Sequence, residues 1–206
     1  MRRVFFINFL VGRQDFGSGL RLNGIMRMET PDNDLATAAA AGDRAAFSAL
    51  ISRHYDRIHG LCWRLTGAKA EAEDLTQDVC MALPRKLAGW RGEAKFTTWL
   101  YRVVVNAAHD RRRRQAVHAR AASGWGDYEV ARQDEIEAGR EAERWLYEAM
   151  RGLPGDLRDT VALLFGEDLS QAEAAEVLGI GEGTVSWRMS EVKKRLRAFA
   201  AREAKA

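Results

Sequence analysis

The sequence predicts an all-α fold of two small helical domains joined by a flexible acidic linker. Only 3 prolines occur in 206 residues, against an average usage of about 5%. Long stretches rich in Ala, Leu, Glu and Arg favour helix over strand by intrinsic propensity. Apolar residues recur at three- and four-residue spacing on either side of a central stretch that loses the pattern. At a soft rule of roughly 150 residues per domain, the length suits one large or two small domains. With 47% hydrophobic and 30% charged residues the chain belongs to the globular class.

Residues 1–28 are expected to be an extension ahead of the folded part. Arg2 and Arg3 followed by the apolar run 4–11 imitate a secretory signal, but Asn8 interrupts the run and no A-x-A-like cleavage site follows. The run is also too short to span a bilayer. Met26 and Met28 stand just before the first helical pattern. A misassigned start and a poorly ordered, functionally silent segment are therefore the expectation.

A first helix over about 34–41 stops at Gly42, and Asp43 offers an N-cap to the next. That second helix carries Phe47, Leu50, Ile51, Tyr55, Ile58, Leu61 and Leu65 and ends at Gly67. A third, from about Lys69, has Leu75, Val79, Leu83 and Leu87 on one stripe. Pro84 lies inside it and removes the bond its N–H would give to Cys80, so a kink or an early end is expected. The fourth is the clearest: Phe96, Trp99, Leu100, Val103, Val104, Ala107 and Ala108 keep helical spacing without a miss. Between Arg102 and Arg120 six arginines stand against Asp110, a local charge of +5. Charge of that density beside exposed aromatics favours phosphate contact over a merely solvated helix end.

Periodicity fails over 115–141, and from Asp127 to Glu143 seven acids face Arg132 and Arg140, a net of −5. This stretch is expected to be a flexible linker between two basic modules. Trp145, Leu146, Ala149, Met150 and Leu153 open the second module, and Pro154, Gly155 and Asp156 make a turn. Leu157, Val161, Leu164 and Phe165 form the next stripe. Ser170-Gln171-Ala172-Glu173 matches the capping box that starts a helix. After Gly179-Ile180-Gly181 a last helix buries Val185, Met189, Val192, Leu196 and Phe199. Helix, glycine-bearing turn and longer helix is the helix-turn-helix pattern. From Arg188 to Lys205 seven basic residues face Glu191 and Glu203, again +5.

A helix-turn-helix lays the start of its second helix in the major groove. Glu182, Thr184, Ser186, Trp187, Ser190 and Glu191 are the candidates for base contact, and Arg188, Lys193, Lys194 and Arg197 for phosphates. Ahead of the fourth helix, Trp90, Arg91, Gly92, Lys95, Thr97, Thr98, Trp99 and Tyr101 interleave aromatics, cations and hydroxyls. That mixture suits unstacked single-stranded bases. Trp99 keeps the spacing of the core stripe, whereas Trp90 precedes the helix and is freer to be a stacking surface.

Catalysis has no support. His54, His59, His109 and His118 are scattered, with no nucleophile or carboxylate pair in sequence beside them. Cys62 and Cys80 cannot build a disulfide framework and show no metal-ligand spacing, so free thiols in a reducing cytoplasm are expected. No cofactor, metal or small-molecule substrate is expected, and the protein is expected not to be an enzyme. The rival class is an autonomous helix-turn-helix repressor or activator. It leaves the first module without a role and predicts tight duplex binding by the free protein.

One ordered set of motifs narrows this. Glu73-Asp74-Leu75-Thr76-Gln77-Asp78 is followed by Trp90-Arg91-Gly92-Glu93, then Thr98-Trp99-Leu100-Tyr101-Arg102 with Asn106 and the arginine run. Leu153-Pro154-Gly155-Asp156-Leu157-Arg158, Leu169-Ser170 and Gly183-Thr184-Val185 come after. On these motifs, residues 35–199 resemble a bacterial RNA polymerase sigma factor of the extracytoplasmic-function group. The resemblance implies sigma region 2 over 29–114, a linker over 115–141 and sigma region 4 over 142–206. It implies that Asp74, Leu75, Gln77 and Asp78 dock on the clamp helices of the polymerase β′ subunit, with the β flap a second contact. Trp90, Arg91, Lys95, Thr98, Arg102 and Asn106, with Arg111, Arg112 and Arg113, would capture a flipped base of the minus-ten promoter element. Extrusion costs a few kcal/mol, offset by stacking and hydrogen bonds. Glu182, Thr184, Ser186, Trp187, Arg188, Ser190, Lys193 and Lys194 would read the minus-thirty-five element. The acidic linker would thread toward the polymerase active channel. The implied partners are core polymerase, promoter DNA and an anti-sigma factor, in a cytoplasmic stress or envelope response. Pro84, Trp187 and Glu191 depart from the family pattern, so no promoter sequence transfers from a relative.

Overall fold

The structure is a computed structural model and describes residues 30–122, 148–150, 152–167 and 169–203. The extension at 1–28 and the acidic run from Asp127 to Glu143 lie outside the described residues. Seven helices follow one another among those described: α1 (Asp32–Ala40), α2 (Arg44–Thr66), α3 (Lys69–Leu87), α4 (Phe96–Ala122), α5 (Gly155–Gly166), α6 (Gln171–Leu178) and α7 (Glu182–Glu203). No strand occurs among the described residues, and no described helix is long and apolar enough to cross a membrane.

Local chemistry sets the helix ends. The Asp43 carboxylate accepts from the N–H groups of Ala45 (2.8 Å) and Ala46 (3.1 Å) at the start of α2. Two of the donors that every helix leaves open at its N-terminus are thereby satisfied, a cap that stabilises by about 1 kcal/mol. Gly67 closes α2 in the left-handed region at φ 72°, where a side chain would be strained. Ser170 and Glu173 form the complete capping box of α6. The helix containing Pro84 runs on to Leu87 rather than stopping. Pro84 sits in the last turn, on the solvent side, so the backbone has few bonds left to lose there. Helix α4 also continues past residue 115 to Ala122. The Gln, Ala and Arg residues beyond 114 are good helix formers, and no glycine intervenes before Gly124.

The first module is α1 to α4 around Leu50, Ile58, Leu61 and Leu65 of α2, Leu75, Val79, Leu83 and Leu87 of α3, and Leu100 and Val104 of α4. Burying each such side chain stabilises the fold by about 1.5–3 kcal/mol. The second has a smaller core of Leu153, Leu157, Val161, Met189, Val192 and Leu196. Cys62 is buried and its thiol is pushed up to about 11 by desolvation, and Cys80 is also raised by burial. Native protein at pH 8 should therefore react with Ellman's reagent more slowly than a free thiol, with half-buried Cys80 retarded and Cys62 released only by denaturant. A fast native burst would contradict that burial.

The two modules are packed together through α5. Its Leu157 and Val161 face the second core, while Ala162 and Leu163 join the first, with Ala174 and Val177 of α6. Phe165, expected on the stripe, is exposed, and Leu163 is buried in its place. A helix buried on more than one face outgrows the single stripe that periodicity detects.

Candidate functional site

Helix α3 holds the candidate docking surface for polymerase. Val79 and Leu83 pull one face inward, which leaves Glu73, Asp74, Gln77 and Asp78 exposed on the other. Leu75 lies at 1% exposure inside the core, so it holds the helix in place and cannot touch a partner directly. Met81, one turn further on, is 72% exposed and adds an apolar patch that the sequence pattern did not single out. Arg111 of α4 reaches the same surface, 3.1 Å from Asp74 and 3.7 Å from Asp78. This arginine, expected on promoter DNA, instead fixes the two carboxylates in register.

The loop over 90–95 and the start of α4 form the second surface. Asn33 holds the loop: its amide donates to the Ala94 carbonyl at 3.3 Å and its oxygen accepts from the Phe96 N–H at 2.8 Å. Gly92 turns the loop at φ 72°, a left-handed conformation natural to glycine. Trp90 was expected to be a free stacking surface. It is half-buried, edge-on to Phe96 (6.0 Å) and Trp99 (5.6 Å). Edge-to-face pairing of this kind adds to area burial and explains why Trp90 folds inward. Thr98, also expected on the surface, is 5% exposed, because α4 is covered on more sides than its apolar stripe announces. Arg91 stays in solvent near Glu93, 3.9 Å away, and Arg102 and Asn106 are exposed on the next turns.

Several of these cations meet the second module. Lys95 lies 3.1 Å from Glu173, and Arg102 donates to the Glu176 carbonyl at 2.7 Å. Arg112 grips Asp159 with two bonds of 3.0 and 2.7 Å, and His109 bonds the same carboxylate at 2.8 Å. Arg113 is left exposed beside Asp110. Burial pushes the Asp159 carboxyl up, but the bonds from His109 and Arg112 outweigh it and hold the group below its ordinary range. Arg64 pairs with Glu167, which also accepts the Tyr101 hydroxyl at 2.6 Å. Burial and that carboxylate push the Tyr101 phenol well up. None of Arg64, His109, Asp159 or Glu167 was singled out from sequence as a site residue. The available signal was faint, since Asp159 stands with Asp156 and Arg158 among three charged residues at the start of α5.

The Ser170 N–H, and then Lys95, pull Glu173 down to about 2. A carboxyl depressed on folding stabilises in full above its unfolded value and ceases to do so as pH falls through its folded one. The contribution of Glu173 should thus persist above pH 4.5 and disappear toward pH 2, with that of Asp159 lost on the same acid side. Tryptophan fluorescence followed from pH 6 down to about pH 2 checks this, and a transition completed above pH 5 would contradict it.

The helix-turn-helix stands as the third surface. Gly179 makes the turn at φ 66°, and Val185, Met189 and Val192 anchor α7. Glu182, Thr184, Ser186, Ser190 and Lys194 project outward with Trp187, which is 63% exposed. Arg188 does not join them: it turns back so that its guanidinium lies 3.6 Å from the Asp156 carboxylate. Lys193 is half-buried. Glu191 is engaged by Arg195 at 2.9 Å and Lys194 at 3.9 Å. Trp187→Ala should leave the melting temperature within about 2 °C, since an exposed side chain contributes little to stability, while weakening duplex binding by the polymerase complex. A loss of stability with unchanged binding would assign Trp187 to packing.

Among the described residues no group of three or more His, Cys, Asp or Glu side chains could hold a metal ion.

Comparison with known proteins agrees with this layout. Residues 50–117 match Sigma-70 region 2, and residues 143–196 match Sigma-70, region 4. The ECF RNA polymerase sigma factor SigM of Mycobacterium tuberculosis is 37% identical over 172 residues, 82% of this chain and 85% of that protein. The RNA polymerase sigma-H factor of Pseudomonas aeruginosa is 32% identical over 87% of this chain and 94% of its own length. Among solved structures, CnrH in complex with the cytosolic domain of CnrY shares the fold at a TM-score of 0.61 and 24% identity, over 82% of this chain and 97% of that one. The sigma factor RpoE bound to the anti-sigma factor NepR from Bartonella quintana does so at 0.62 and 21%, over 75% and 96%. With the sequence identity spanning both modules and the helices arranged as two packed bundles, the chain belongs to the extracytoplasmic-function RNA polymerase sigma factors.

Proposed function

We propose that the chain docks on core RNA polymerase through the exposed Asp74, Gln77 and Asp78 of α3, opens the minus-ten element with the 90–106 surface and reads the minus-thirty-five element with α7. The observation that carries this is the α3 face: acids and an amide held outward beside Met81, with Arg111 bracing them. Such a face suits the arginines of a polymerase clamp, where charge-assisted bonds across a polar rim give specificity. An autonomous helix-turn-helix regulator has no use for it. The chemistry is binding and strand capture, with no catalytic step supplied by this chain, and the place of action is the cytoplasm, where polymerase and promoter meet.

Within the minus-ten surface, Asn106 and Arg102 supply hydrogen bonds and Arg91, Lys95 and Arg113 supply phosphate contacts. Trp90 shapes the pocket from below with Phe96 and Trp99. The solved RpoE is bound to the anti-sigma factor NepR and CnrH to the cytosolic domain of CnrY, and control by an anti-sigma factor in a stress or envelope response is the corresponding expectation for this chain. The test is size-exclusion chromatography of the purified protein with bacterial core polymerase. Co-elution near one-to-one supports the assignment. Failure to co-elute, with tight duplex binding by the free protein, would transfer it to the autonomous regulators.

A further inference from the structure

Successive residues of a helix point about 100° apart, which places Trp187 opposite the buried stripe of Val185, Met189, Val192 and Leu196 on α7. Its indole is 63% exposed at the middle of the outward face. Gly183, Thr184 and Ser190 lie within about 60° of it around the helix, all exposed and too small to cover the ring. Arginines are drawn off this centre. Arg188 turns back to Asp156, with its guanidinium 3.6 Å from the carboxylate and donating to the carbonyl at 3.4 Å. Arg195 lies against Glu191 at 2.9 Å. Lys194 shares the outward face but stands about 10 Å further along the axis, 3.9 Å from the same Glu191.

The commonest specific contact in a major groove is a cation bonded twice to guanine, and the centre of this face has no arginine to make it. What it offers is a broad apolar ring with one N–H donor and no acceptor. Among the base edges of the major groove only thymine carries an apolar group, its C5 methyl, and the O4 acceptor stands beside it. Cytosine lacks the methyl and presents an N4 donor that the indole N–H cannot accept. Guanine and adenine set polar atoms alone against the ring. We propose that Trp187 selects thymine: its indole packs on the C5 methyl of a thymine in the upstream promoter element, so that an apolar contact specifies this position where arginine on guanine would otherwise do so. The inference rests on the assignment of α7 to the minus-thirty-five element and adds which base it takes there.

The test uses the full chain assembled with bacterial core polymerase. Duplexes enriched by this complex from a random-sequence pool supply the probe. Each thymine of the enriched upstream element is replaced in turn by deoxyuridine, which lacks the C5 methyl and keeps O4, and affinity is read by fluorescence anisotropy at fixed salt. At one or more upstream thymines deoxyuridine should weaken binding about fourfold, the effect of one buried methyl. Trp187→Ala should bind the thymine and deoxyuridine duplexes equally at that position, while Trp187→Phe, which keeps an apolar ring, should still discriminate. Circular dichroism of the free variants checks that both remain folded, as expected of an exposed position. Deoxyuridine tolerated at every upstream position, an upstream element without thymine, or discrimination that survives in Trp187→Ala overturns the proposal and leaves the role of α7 standing. Enrichment of a downstream element alone overturns both, since α7 would then read no sequence.

Discussion

The double substitution Asp74→Ala, Gln77→Ala should weaken association with core polymerase by on the order of 100-fold while leaving the fold intact. Both side chains lie outside the core, so truncation removes no packing. Bonds to charged groups contribute about 1.5–3 kcal/mol each, and losing two of them corresponds to a hundredfold or more in affinity. Arg111 complicates the reading in a predictable way. Deprived of Asp74, it keeps Asp78, 3.7 Å away, so α4 stays braced against α3. Fluorescence titration of labelled protein with core polymerase measures the effect, and unchanged binding would remove α3 from the docking assignment.

Asn106→Ala should cut promoter opening by tenfold or more, the loss of about 1.4 kcal/mol from a hydrogen-bonding group in the pocket, with polymerase binding preserved. Asn106 is exposed on α4, so its loss bears on what the surface binds and not on what holds it. Trp90→Ala makes a poorer test. Its ring packs on Phe96 and Trp99, and truncating a packed aromatic destabilises by about 3–5 kcal/mol, so lost opening would mix local unfolding with lost recognition. Permanganate reactivity of minus-ten thymines in the assembled complex distinguishes the two. Equal loss of opening and of polymerase binding in Asn106→Ala would count against the pocket.

Helix positions in this chain were legible because their signals are local. Asp43, Gly67, Ser170 with Glu173, and Gly179 act within a few residues of themselves, and the structure uses each as a cap or turn. The exposure of Glu73, Asp74, Gln77 and Asp78 on α3 was legible for a similar reason, since a helix with one apolar stripe exposes the rest. What the sequence hid depends on contacts between distant segments. Thr98 and Tyr101 are buried, and Tyr101 bonds Glu167 across the module boundary, which no spacing within α4 announces. Arg111, Arg112 and Arg113 form one basic run in sequence, yet one braces carboxylates of α3, one clasps Asp159 and one lies in solvent. Successive helical positions point about 100° apart, so adjacent arginines cannot share one partner. Arg188 was expected on phosphate and turns to Asp156, again a choice made by a helix elsewhere in the chain.

Helices α5 and α6 lend Ala162, Leu163, Ala174 and Val177 to a core whose larger part is built by α1 to α4, while the second module keeps a small cluster for itself. Synthesis proceeds from the N-terminus at about 5–20 residues per second, and domains fold as they emerge. The α1 to α4 bundle therefore packs first and presents an apolar seat that is filled only as α5 and α6 follow. The later helices mature against a template laid down by the earlier part of the same nascent chain.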